Sequence, residues 1–185
     1  MERTRLRVGF ASGVTPDRWG RTWDRRHPHD RLDLVPLADR DGVLLLRARE
    51  LDLCFVRLPV DRDGLHVIPL YDEQPVVLAS REHPVSTYDE VDVADLADEV
   101  LLLGPGDALT REALRAALDR VAADAGVMVV PMSLARLHHR RDVAAVPVTG
   151  VPTSGVGLAW LRDGDDERID DFIGVVRGRT ENSSR

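Results

Sequence analysis

Apolar residues fall in short runs separated by turn residues, and strand-like and helix-like periods alternate along the chain. Residues 6–11 (LRVGFA) form a strand-like run closed by Ser12 and Gly13. Thr15, Pro16 and Asp17 then supply a capping hydroxyl, a first-turn proline and an acid, so a helix is predicted to start there. Trp19 and Trp23 stand four residues apart on one face of that helix, and Pro28 stops it after Arg25, Arg26 and His27. Runs 32–37 and 51–56 read as strands. The apolar stretch 43–46 is ambiguous by period alone, but a helix over about 41–49 would complete a βαβαβ unit.

A turn-rich stretch, 61–64, leads to two further strands at 65–70 and 75–79. A polar segment, 80–99, precedes a strand at 100–103, a loop of Gly104, Pro105 and Gly106, and a helix opened by the N-cap candidate Thr110. In that helix Leu114, Leu118 and Val121 share one face, and Gly126 fits the position just past its end. A buried strand follows at 127–130, and Pro131, Met132 and Ser133 open a shorter helix running into 137–141. Strands at 143–148 and 155–161 lead to a last helix, with Ile169, Phe172, Ile173 and Val176 as its apolar stripe and Gly178 as its stop. The alternation predicts an α/β architecture with parallel strands. Two lobes are expected, residues 4–78 with 157–178 and residues 79–156, followed by a polar tail, 179–185.

The 185 residues are 43% hydrophobic and 31% charged, enough for a real core and too apolar for a disordered chain. The row holds no lysine, a bias that carries no functional meaning. A formal net charge of -7 argues against nonspecific coating of a polyanion. Cys54 is the one cysteine, so no internal disulfide or cysteine-based zinc cluster can form, and a reducing compartment, the cytoplasm, is expected. No apolar stretch suits a signal peptide or a membrane span.

Several segments, in order, resemble the effector-binding, or substrate-binding, domain of LysR-type transcriptional regulators. They are LRVGF at 6–10, LDLCFVRLP at 51–59, the block from Gly64 and Leu65 to Pro84, VADLA at 93–97, and GVMVVP at 126–131. The tail FIGVVRGRT at 172–180 is similar to actinobacterial stand-alone versions of that domain. The resemblance implies a two-lobed fold of the type 2 periplasmic-binding-protein kind, a cytoplasmic sensor of a small-molecule effector, and no sequence-specific DNA binding by this chain alone. It further implies a homodimer, or a heterodimer with a regulator, in which the helix at 16–26 packs against a second-lobe helix, here 110–123. Trp19 and Trp23 would suit that interface or the core equally. Compared with the family, the second lobe reads as short by one βα unit, and Arg49 stands where a glycine is common, a left-handed position costing about 1 kcal/mol.

On that resemblance a ligand would lie between the lobes, near carboxyl ends of strands and amino ends of helices. Ser12, Gly13 and Thr15 match the first such corner, although Thr15 as a helix cap and Gly13 as a turn would explain them structurally. Arg57 could grip a carboxylate with its planar fork, or be one more surface arginine. Gly104 and Gly106 would form the second lobe's lip, and Ser133 a further contact, unless they serve only loop geometry and a helix cap. Cys54 reads as a buried, inert thiol. The pairs His27 with His29 and His138 with His139 lack the spacing of a helical zinc site, and the turn acids Asp61, Asp63, Asp163, Asp165 and Asp166 lack the ligand series of a calcium loop.

Binding of a small carboxylate or similar anion is therefore the expected function, with no catalytic residue, metal or cofactor and no membrane partner. The alternatives are a pocketless dimerisation partner of a full-length regulator and a lyase-type enzyme on the same fold.

Overall fold

The apolar runs are short and mostly buried on both faces, while between them burial recurs with a period near 3.6, which is how the chain comes to alternate strands with helices. The computed structural model describes residues 5–38, 41–105, 107, 110–164 and 166–178. In chain order the elements are β1 (Arg5–Ala11), α1 (Asp17–Arg26), β2 (Arg31–Leu37), α2 (Asp41–Arg47), β3 (Leu53–Leu58), β4 (Leu65–Glu73), β5 (Pro75–Ser80), β6 (Val91–Asp92), β7 (Leu101–Leu103), α3 (Arg111–Ala122), β8 (Val127–Pro131), α4 (Met132–Leu137), β9 (Val143–Thr149), β10 (Ser154–Leu161) and α5 (Glu167–Val176). Two 3₁₀ turns, Pro84–Thr87 and Val93–Leu96, flank β6.

The chain divides into two units, one drawn from Met1–Pro69 and Gly157–Arg185, the other Leu70–Val156. The first carries a five-stranded sheet in the order β2-β1-β3-β10-β4, with β1 parallel to both β2 and β3. On one face, Leu46 of α2 packs with Cys54, Val56, Leu65 and Ala159. Phe55, one residue out of step with Cys54, joins an aromatic cluster: Trp19 stacks on it at 4.7 Å, and Phe172 of α5 meets both it and Trp23. Trp23 is fully buried and Trp19 nearly so, so both belong to the core and not to an interface.

The second unit, expected to be short by one βα unit, builds a five-stranded sheet in the order β6-β9-β5-β8-β7. Its central strand β5 is buried on both faces: Val76 and Leu78 pack under α3 and α4, while Val77 and Ala79 pack against Val85, Val91 and Leu96. The expected parallel pairing holds for β1 with β2 and β3, β6 with β9 and β7 with β8, whereas β5 runs antiparallel to β8 and β9. β5 lies in this sheet, so residues 75–78, expected in the first lobe, fall in the second unit.

Caps bear out some sequence signals and correct others. Thr110 accepts from the Ala113 N–H at 3.1 Å and opens α3 as predicted. Thr15 does not cap α1, whose N-cap is Pro16 without a side-chain hydrogen bond. The helix over 41–49 stops at Arg47. The residue just past the α3 cap is Asp124 (φ 56°), and Gly126, expected at that place, follows two residues later with φ 143°. Gly126 is favoured by that positive φ and required because a Cβ there would collide with the Val100 carbonyl oxygen. In α5, Val175 is buried where Val176 was expected. The tail 179–185 lies outside the described residues.

Arg49 does adopt the left-handed conformation (φ 58°), and its exposed ion pair with Asp163 at 2.5 Å offsets little of that strain. Arg49→Gly is expected to stabilise the protein by up to about 1 kcal/mol, raising the Tm by roughly 2–4 °C in a calorimetric scan. Asp166 caps α5 through the Arg168 N–H at 3.0 Å, and the Arg168 guanidinium bonded to it holds its carboxyl below the usual range. A depressed folded pKa contributes stability above the unfolded value and loses it as pH falls through the folded value. Asp166→Ala should therefore cost about 1 kcal/mol at neutral pH, and its melting curve should converge on the parent's in strong acid.

Candidate functional site

The parallel register of β1 on β3 pairs Phe10 with Phe55, and two residues further on it carries Ser12 to Arg57. There the Arg57 Nη2 donates to the Ser12 carbonyl oxygen at 2.6 Å. Ser12 Oγ makes a longer contact, 3.4 Å, with the Leu37 carbonyl at the end of β2. Gly13 turns the chain with φ 85°, a conformation that favours glycine, and the turn closes as the Val14 N–H donates to the Ala11 carbonyl at 3.1 Å. Thr15 follows, exposed, and α1 begins two residues later. Ser12, Gly13 and Arg57 are thus brought together, at the carboxyl ends of neighbouring parallel strands beside the start of a helix. That is where an anion finds N–H groups and a favourable helix dipole.

The second unit repeats the placement. Gly104 follows β7 and Ser133 follows β8, two parallel neighbours. The Gly104 N–H donates to Asp107 Oδ2 at 2.8 Å, which closes the loop locally. Ser133 is the second residue of α4 and half-buried, so it is not the cap suggested for it; the N-cap is Pro131 without a side-chain bond. Gly106 lies outside the described residues, as does Asp165.

Neither the thiol nor the imidazoles assemble reactive chemistry. Cys54 is buried beneath α2, and desolvation pushes its thiol up to about 12. His27 stacks on Trp23 at 4.1 Å and approaches Asp171 at 3.9 Å. Asp61 and Asp163 are held by Arg47 and Arg49. Among the described residues no three His, Cys, Asp or Glu side chains are grouped to hold a metal, and no helix is long and apolar enough to cross a membrane. A groove lined by residues between 84 and 99 lies in the second unit, within a segment that reads from the sequence only as polar; its signal is the density of acids there.

The sequence matches the family described as LysR substrate binding domain over residues 1–123. A probable hydrogen peroxide-inducible genes activator of Mycobacterium leprae is 30% identical over 159 residues, which cover 72% of this chain and 51% of that protein. The HTH-type transcriptional regulator MetR of Salmonella typhimurium is 27% identical over 111 residues, 56% of this chain and 34% of that protein. The chain spans about half the length, or less, of these curated relatives. Among solved structures, the BenM effector binding domain with its effector benzoate matches with a TM-score of 0.78 at 20% identity, covering 95% of this chain and 91% of that one. A variant of the OxyR regulatory domain from Pseudomonas aeruginosa matches at 0.76 and 26% identity, covering 94% and 96%.

A thiol buried in this way reacts only after the strand around it opens. Native protein at pH 8 should leave Cys54 unmodified by a chromogenic disulfide reagent, and one thiol equivalent should appear on adding denaturant.

Proposed function

Because the chain belongs to the LysR substrate-binding domain family, the effector-binding part of LysR-type transcription regulators, we propose that it senses a small anionic effector whose carboxylate is received at the corner of Ser12, Gly13, Thr15 and Arg57. The observation that carries this reading is the Arg57 guanidinium, fixed on the Ser12 carbonyl at 2.6 Å beside a helix start that has no side-chain cap. A fixed planar fork loses little freedom when it meets a carboxylate, which favours it over a lysine for this task. Gly104 and Ser133 hold the corresponding strand-end places within the second unit. BenM is described with benzoate, an aromatic carboxylate, and the same ligand class is the first to try here.

The corner offers hydrogen-bond donors and no group suited to take a proton from a substrate, which supports binding and release over turnover. An effector that favours one arrangement of the chain shifts its population, and a regulator subunit, a second copy or a relative, reads the change. α1 and α3, the helices expected to meet in such a dimer, turn charged residues outward, among them Arg21, Arg25, Arg111 and Arg115. Association through them would therefore depend on salt.

Thermal stability against a panel of aromatic and aliphatic carboxylates tests the reading. A true effector at about 100 times its Kd adds roughly 2.7 kcal/mol, a Tm rise of about 5–10 °C at this size. Arg57→Ala should lose the rise, and Arg57→Lys should retain only part of it, with circular dichroism verifying that both variants fold. A flat panel, or an equal rise in Arg57→Ala, would falsify the assignment of the carboxylate to this corner.

A further inference from the structure

Residues 82–99 hold seven Asp or Glu and no Arg or Lys. The other 25 of the chain's 32 acids are matched by its 25 arginines, so the whole formal charge of -7 resides in this one segment. The segment is a built surface. His83 Nδ1 accepts from the Val85 N–H at 3.2 Å and opens the turn Pro84–Thr87, while its Nε2 lies 3.2 Å from Glu99 Oε2. Asp92 and Asp95 form a reciprocal capping box on the turn Val93–Leu96. Between the turns, β6 pairs parallel with β9.

These supports leave a groove of about 360 Å³ with an apolar floor and an acidic rim. Val85, Val91 and Leu96 make the floor, packed from below by Val77, Val129 and Val146 of the sheet. Tyr88 stands beside it with 58% of its surface exposed, and Glu90, Asp95 and Glu99 edge it. Glu99 faces His83, and Asp95 is engaged in its cap. Glu90 makes no hydrogen bond or ion pair among the described residues.

We propose that this groove docks an arginine-bearing segment of a partner protein. An arginine side chain is apolar along its stem and charged at its head, so it can lie over the valine and leucine floor and place its guanidinium at the carboxylate rim. The face of Tyr88 adds a cation–π contact. A purely apolar occupant would desolvate the carboxylates without pairing them, and an acidic one would be repelled. The occupant is a protein segment and not a free amine because the groove sets an apolar floor beside its carboxylates, and a peptide carrying apolar side chains next to its arginines covers both. The groove lies wholly within the second unit, so the inference does not rest on the effector corner.

The test is fluorescence anisotropy of a labelled, end-blocked peptide of alternating arginine and leucine, titrated with the full chain in about 50 mM salt. Saturable binding is expected, weakening strongly at about 300 mM salt, where screening shortens the reach of the charges. Tyr88→Ala and Glu90→Lys should each weaken binding by roughly fivefold or more. Both side chains are exposed, and melting curves verify that the variants fold. Glu50→Lys makes the same charge change in the first unit and should bind as the parent does. A glutamate–leucine peptide should not bind. The proposal is overturned if the groove variants bind like the parent, if Glu50→Lys weakens binding equally, or if spermine displaces the peptide at matched concentration, which would assign the groove to a small polyamine.

Discussion

The register of β1 against β3 is the constraint on which the first unit depends. Val8 faces Leu53, Gly9 faces Cys54 and Phe10 faces Phe55. Because side chains alternate across a sheet, that one choice sends Cys54 and Val56 to the α2 side and Phe55 to the aromatic side, where Trp19 and Phe172 meet it. It also decides which residue of β3 stands opposite Ser12. A slip by one residue would put a thiol among the tryptophans, drive Phe55 into α2, and move Arg57 off the Ser12 carbonyl. Core and candidate site are therefore specified together, and a mutation that loosens the aromatic cluster should reach the corner through the strand that both share.

The second unit uses its central strand in the same way but runs it antiparallel. β5 is buried along its whole length, so each face must be covered by something: α3 and α4 on one side, the two 3₁₀ turns on the other. Those turns are short, and they cover the sheet only because Val85 and Leu96 from the turns and Val91 from β6 are buried against it. The outer side of the same segment is then free to carry charge. An acidic stretch that looks like a loop is held as a surface by three apolar residues and two side-chain caps.

Much of this was legible from period and capping chemistry. Thr110 and the stripe Ile169, Phe172 and Ile173 are local signals, settled within a few residues, and they appear where pattern places them. Thr15 and Gly126 answer to more than local pattern. Pro16 takes the cap position without any side-chain bond, and Gly126 answers to the Val100 carbonyl, a neighbour 26 residues away that no local pattern reveals. Strand direction was likewise hidden, because burial on both faces looks the same whether β5 runs parallel or antiparallel. For the candidate site, Ser12, Gly13 and Arg57 were named from a family resemblance. Their meeting follows from a register that spans 45 residues, which composition does not encode.

A chain at -7 was expected to repel polyanions as a whole, yet outside residues 82–99 its acids and arginines are equal in number. The repulsion is thus a property of one face of one unit, and charged groups more than about 8–10 Å away are largely screened from one another at physiological salt. Elsewhere the surface is charged but balanced, with acids and arginines tied in pairs such as Arg7 with Asp52 and Arg140 with Asp142. A balanced surface neither attracts nor excludes a small anion at long range, so recognition at the Ser12 and Arg57 corner must come from contact geometry. The acidic groove differs in kind, because its field reaches outward before any contact is made. The two surfaces should accordingly respond differently to ionic strength, the corner weakly and the groove steeply.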